Sequence, residues 1–201
     1  MPSKPRSFAP GFFYHIYNRG SQKMTLFHTS VDYERFLLKA REYKAKYPLD
    51  VIAYCLMPNH FHFLIRPVLP DLKGQEDRPL RSDPTVSSFF QQLQNAYARY
   101  FSIKYGFSGR VFQGTYKSKL IDNDAYMLQV AAYIHDNPVK NGHVTSPEIW
   151  PYSSYIDLIG IRKDDLTTND PNITSLDHKA IYNEFAKSRN VQDLKGLSFD
   201  P

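Results

Sequence analysis

Two histidines one residue apart, His60 and His62, stand in the run His60-Phe61-His62-Phe63-Leu64-Ile65-Arg66. Side chains alternate along an extended chain, so both imidazoles leave one face of a strand and Phe61 leaves the other. Two imidazoles at that spacing suit one divalent cation with coordination positions left open. The plainer alternative is two histidines satisfied by hydrogen bonds or by solvent, and the spacing alone does not choose between them. A metal alone could support hydrolysis, so a nucleophile has to be sought separately. Ala132-Tyr133-Ile134-His135-Asp136-Asn137-Pro138-Val139-Lys140 offers one. On a helix Tyr133 and Asn137, four apart, share a face. A phenol with a free pKa of about 10 is a weak nucleophile at neutral pH. A cation that polarises a scissile phosphate lets it attack, and the covalent phosphotyrosine keeps the energy of the broken bond for rejoining. The alternatives are a core aromatic at Tyr133 and an Asn137 that caps a helix end before Pro138. His135, two residues on, falls on another face and reads as a surface or phosphate contact.

The elements that must position these groups follow from periodicity and punctuation. Residues 12–19 (FFYHIYNR) are aromatic and β-prone, with Gly20 at their end, and predict a strand. Over 30–47 the apolar residues recur at helical spacing until Pro48. Residues 50–56 and 60–66 predict two strands of a hairpin across Met57-Pro58-Asn59. Residues 67–82 read as a loop, and Asp83-Pro84 as the N-cap and first position of a helix running to Lys104. Two short strands are expected over 110–113 and 116–121 on either side of Gly114. A helix capped by Asn123 or Asp124 should end near Asn137-Pro138. The order β-α-β-β-α-β plus a further helix predicts an α+β fold. It is the ferredoxin-like split βαβ with a central antiparallel sheet, its extra helix carrying Tyr133. The expected division is a domain over 1–158 and a polar extension over 159–201, with one helix near 177–188 and a loose end.

Composition narrows the class. Of 201 residues 42% are hydrophobic and 15% aromatic, which excludes a disordered chain. The 15 Tyr and 14 Phe can fill a core or stack on bases. A net charge of +5 suits a polyanion and equally suits a generic soluble protein. Arg19, Lys23, Arg99, Lys104, Arg110, Lys117 and Lys119, with Tyr97, Tyr100 and Tyr116, are the candidates for a basic, aromatic DNA groove; a solvated charged face beside core tyrosines is the alternative. Cys55 is the single cysteine, so no internal disulfide can form, and no run is long enough to span a bilayer. A cytoplasmic location is the expectation.

Taken in order, YHIYNRG (14–20), YCLMPNHFHFLIRP (54–67), GRVFQGTYKSKLIDND (109–124), YIHDNPVKNGHV (133–144) and WPYSSY (150–155) resemble the single-tyrosine HUH transposases, specifically the REP-associated tyrosine transposases. The resemblance runs over roughly 10–158. It implies a metal-dependent DNA transposase that binds single-stranded or hairpin DNA, as in palindromic repeats. Such an enzyme cleaves and rejoins through a 5′-phosphotyrosine, leaving a free 3′-hydroxyl. His60 and His62 fall on the paired metal ligands and Tyr133 on the nucleophile. Asn137 falls where relatives place a third polar ligand, often Gln. Asn is one methylene shorter, so a water-bridged contact fits as well as direct ligation. The implied ion is Mg2+ or Mn2+, with imidazole ligation suiting Mn2+ better. Relatives include domain-swapped dimers and monomers that act in cis; a monomer associated with the nucleoid is the expectation here. A catalytically silent hairpin-binding protein, a hydrolytic metal-dependent nuclease and a ferredoxin-like RNA-binding protein are the alternatives.

Overall fold

Strand β1 (Phe13–Arg19) alternates Tyr14, Ile16 and Asn18 toward one side of the sheet with His15 and Tyr17 toward the other, which sets the two-faced plan of the molecule. The computed structural model describes residues 8–68, 85–168 and 175–188. After β1 come a 3-10 turn (Ser21–Lys23) and helix α1 (Ser30–Lys44). Strands β2 (Leu49–Met57) and β3 (His60–Pro67) form the hairpin. Helix α2 (Thr85–Tyr105), strand β4 (Lys117–Ile121) and helix α3 (Asp124–Lys140) follow. A second 3-10 turn (Pro147–Ile149) and the short helices α4 (Tyr155–Leu158) and α5 (His178–Ser188) complete the described chain. The sheet order is β2-β3-β1-β4, every pair antiparallel, which is the expected ferredoxin-like arrangement.

Helices α1 and α2 cover one face of the sheet. Phe61, Phe63 and Ile65 of β3 meet Phe36, Phe90 and Leu93 there in an aromatic core. Helix α1 starts with a capping box between Thr29 and Asp32, which satisfies its first backbone donors. Helix α3 covers the other face, where Val130 and Ile134 pack with Cys55 and Leu64, and α5 adds Phe185 behind it. A bulge between Val51 and Ala53 inserts Ile52 into β2, and both Ile52 and Ala53 join this second core.

Two expectations need correction. Residues 110–113 form no strand of their own; a lone bridge joins Phe112 to Gly20, and Gln113 N–H donates to the Arg19 carbonyl at 2.8 Å. The loop is thus pinned to the end of β1 instead of continuing β4. Gly20 is required at that junction, because a Cβ there would lie 2.2 Å from the Met24 carbonyl oxygen. The second correction is that α3 does not end at Pro138. It runs to Lys140, and the Asn141 N–H donates to the Asn137 carbonyl at 3.0 Å. Proline forfeits one helical hydrogen bond, and burial of the 130–138 stretch between the sheet and α5 outweighs that loss. Gly142, at φ +70°, then closes the helix.

Packing continues past residue 158. Residues 152–154 run along the open edge of β2: Leu56 N–H donates to the Tyr152 carbonyl at 2.9 Å and Tyr54 N–H to Ser154 Oγ at 2.8 Å. Beyond them Arg41 pairs with the buried Asp164, and Thr168 N–H donates to the Val51 carbonyl at 2.8 Å. This strap covers an edge that would otherwise be free to pair with another chain. The expected loop over 67–82, the cap at Asp83-Pro84 and the loose end after Ser188 fall mainly outside the described residues. No described helix is long and apolar enough to cross a membrane.

Candidate active site

The strand register places the two histidines. His62 lies between Tyr17 on β1 and Cys55 on β2, and His60 between Arg19 and Met57. Both project toward α3, with ring centroids 4.9 Å apart. His62 is fully buried and His60 half-buried, so the pair grades from interior to surface. The Tyr133 ring stands edge-on to His62 with centroids 6.0 Å apart. Because α3 continues through Pro138, Tyr133, Asn137 and Lys140 occupy successive turns of one helix face. Asn137 Nδ2 donates to the Tyr133 carbonyl at 2.9 Å, and Lys140 Nζ lies 5.3 Å from the Tyr133 ring centroid.

The hydrogen bonds leave a particular set of atoms open. His60 Nδ1 meets Asn59 Oδ1 at 2.7 Å, and His62 Nδ1 meets His15 Nε2 at 2.9 Å. Asn59 can only accept at that oxygen, so His60 donates there and keeps its lone pair on Nε2. His62 Nε2 and Asn137 Oδ1 are buried without a hydrogen-bond partner. Native interiors rarely leave such groups unpaired without a functional reason. Burial, then repulsion from His60, His15 and Lys140, holds His62 well below the usual imidazole range. Burial and the nearby Lys119 bring His15 down to about 3. Both rings are therefore neutral at physiological pH, the form that offers a lone pair to a cation. Among the described residues no three His, Cys, Asp or Glu side chains gather as a metal cage. Two imidazoles and an amide oxygen make a more open donor set, which fits an ion that also takes substrate oxygens.

No family model matches the chain. A Haemophilus influenzae protein provisionally named as a REP-associated tyrosine transposase is 33% identical over 112 residues, covering 54% of this chain and 60% of that protein. The chain thus spans about 60% of the length of this relative. A solved structure described as a REP-associated tyrosine transposase bound to a REP hairpin superposes with a TM-score of 0.57. It covers 85% of this chain and 99% of that one at 16% identity. Part of the chain is thus similar in sequence to that relative, and its fold is like that of the solved structure.

The structure sorts the candidate DNA contacts. Lys117 and Lys119 project from β4 on the same face as His15 and Tyr17, exposed, with Lys117 over the Tyr17 ring and Lys119 over Tyr126. Arg19 ends β1 beside Gln113, next to His60 in register, and Lys23 and Arg110 lie on the loops beyond. Arg99 and Lys104 are not part of this surface. They sit on α2, across the sheet, where Lys104 pairs with the buried Asp32 at 2.7 Å. Nor are the tyrosines a stacking platform. Tyr116 is buried against Phe90 with its hydroxyl on Ser87, Tyr97 is buried with its hydroxyl on the Leu26 carbonyl, and Tyr100 is bound to Asp32. His135 is likewise no surface contact: it is buried, 3.0 Å from Ser154 Oγ, and joins α3 to the β2 strap. Their faces were set by how α2 and α3 rotate onto the sheet, which residue types do not encode.

Two residues at the site had not been singled out. His15 lies within the YHIYNRG run, where alternation alone puts it on one face with Tyr17, but its reach to His62 depends on sheet order. Lys140 is seven residues after Tyr133, a helical spacing hidden by the expected stop at Pro138.

Proposed function

We propose that this chain is a metal-dependent DNA strand transferase that cleaves and rejoins single-stranded or hairpin DNA through Tyr133. The carrying observation is the buried, unpartnered pair His62 Nε2 and Asn137 Oδ1 beside the Tyr133 ring. With His60 these atoms would hold Mg2+ or Mn2+. When bound, such an ion supplies Lewis-acid polarisation of the scissile phosphate. Tyr133 attacks phosphorus as its phenol gives up a proton. The P–O3′ bond breaks, the 3′-oxygen takes a proton, and the 5′-phosphate stays on the tyrosine. One ester replaces another, so the step reverses with little change in energy. Arg19, Lys117 and Lys119 supply positive charge on the site's face for the DNA backbone. Affinity for a hairpin is supported by what the structural relative is described as binding. Tyr133 approaching His62 within one chain supports a monomer that acts in cis.

Labelled hairpin oligonucleotides with Mn2+, resolved on denaturing protein gels, test this. A covalent band on the 3′-labelled fragment is expected for wild type and not for Tyr133→Phe. Mixing Tyr133→Phe with His62→Ala should not restore it; restoration would show a swapped, trans site. Cleavage with no covalent band would make the chain a hydrolytic nuclease. A second reading, a hairpin binder that does not cut, has one observation in its favour. Tyr133 is only 4% exposed, so its ring has to be uncovered before a phosphate reaches it. Tight binding with neither cleavage nor band would establish that reading.

A further inference from the structure

His15 is a fully buried polar side chain on β1, two residues from Tyr17 and diagonal to His62 across the β1–β3 pairing. Its Nε2 lies 2.9 Å from His62 Nδ1. Its ring is fixed between others: it stacks on Tyr17 at 5.0 Å and on His62 at 5.1 Å, and meets Tyr133 edge-on at 6.3 Å. Its hydrogen bond runs to His62 and not to the open side of the site, so it is a positioning residue.

Two neutral imidazoles joined by one hydrogen bond share one proton between the facing nitrogens, which leaves two arrangements. In one, His15 donates from Nε2, and His62 must carry its own proton on Nε2. That points a hydrogen, in place of a lone pair, at the site. In the other, His62 donates from Nδ1 to His15 Nε2 and its own Nε2 is a bare lone pair. Only the second arrangement makes His62 a ligand.

Building on the metal site proposed above, we infer that His15 locks His62 in its Nδ1–H tautomer and so presents the His62 Nε2 lone pair to the cation. Asn59 performs the same service for His60, whose Nδ1 it holds at 2.7 Å. The two strand histidines are thereby oriented from behind by different partners, one buried imidazole and one amide at the hairpin turn. Outer partners of this kind fix ring orientation and raise ligand basicity.

The test compares His15→Gln, whose side-chain oxygen reaches the acceptor position, with His15→Leu and His15→Asn, which remove it or fall short. Imidazole nitrogen shifts of His62, read by NMR on the metal-free proteins, report the tautomer directly. Mn2+ affinity without DNA, read from the free-ion EPR signal, reports the consequence. Wild type and His15→Gln should hold the proton on Nδ1 and bind Mn2+ alike. His15→Leu should lose that tautomer and bind Mn2+ about 10–100-fold more weakly while melting cooperatively. If the leucine variant does not fold, the Asn and Gln pair decides on the same readouts. A wild-type His62 protonated on Nε2, or folded Leu and Asn variants that match wild type, overturns the inference. Wild type that binds no Mn2+ yet keeps the Nδ1 proton overturns the metal reading and leaves the lock standing.

Discussion

The two faces of the sheet differ in how completely they pair the buried polar groups at their centres. Under α1 and α2 each prominent one is paired. Asn18 donates to Gln94, Tyr97 to the Leu26 carbonyl, and Asp32 receives Thr29, Tyr100, Lys104 and Tyr105. Those bonds net Asp32 a depressed carboxyl: burial pushes it up, and the contacts from Lys104, Tyr105, Tyr100 and Thr29 more than reverse that. Under α3, by contrast, His62 Nε2 and Asn137 Oδ1 stay unpartnered beside a buried tyrosine. The first face is built to hold the fold together. The second carries a local cost that a ligand would relieve, and departures from full pairing concentrate where function lies.

That contrast can be broken, most severely at His62. His62→Ala should abolish cleavage while hairpin affinity stays within about tenfold, about 1.4 kcal/mol. An equal collapse of binding, measured by gel shift, would make the histidine structural and the two faces alike. On the opposite face Phe61→Ala, removing a fully buried ring, should cost about 3–5 kcal/mol in urea unfolding. It should leave the Mn2+ affinity of the folded fraction unchanged, and a coupled loss would show that the faces are not separable.

Asn137→Leu sharpens the point, because it replaces an unpartnered oxygen. Stability should hold within about 1 kcal/mol while Mn2+ affinity drops. A large destabilisation with unchanged metal binding would place Asn137 with the structural groups. The smallest effects belong to single surface charges. Lys117→Ala and Lys119→Ala should each lower the salt dependence of hairpin binding by about one unit of slope, whereas Arg99→Ala, across the sheet, should not change it. Equal effects from both faces, in a salt titration, would spread the DNA surface around the molecule.

Much of this was legible without coordinates. Period-two alternation fixed that His60 and His62 share a side, and helical spacing put Asn137 below Tyr133, because both periods are local properties of the backbone. The β-α-β-β-α-β order and its sheet followed from the same local signals with turn residues between them. Tertiary structure alone decided the rest. Only the pairing of β1 with β3 brings His15 to His62, and only packing against β2 and α5 carries α3 past Pro138 to Lys140. Tyr97 and Tyr116, sensible stacking residues by type, turn inward because their helix and loop dock with that side down. The strap over 152–168, which runs into the stretch expected as a polar extension, packs with the fold because the edge of β2 needs its hydrogen bonds. Local periodicity specifies which residues share a face; which faces meet depends on contacts between residues far apart in sequence, and those exist only once the chain has closed on itself.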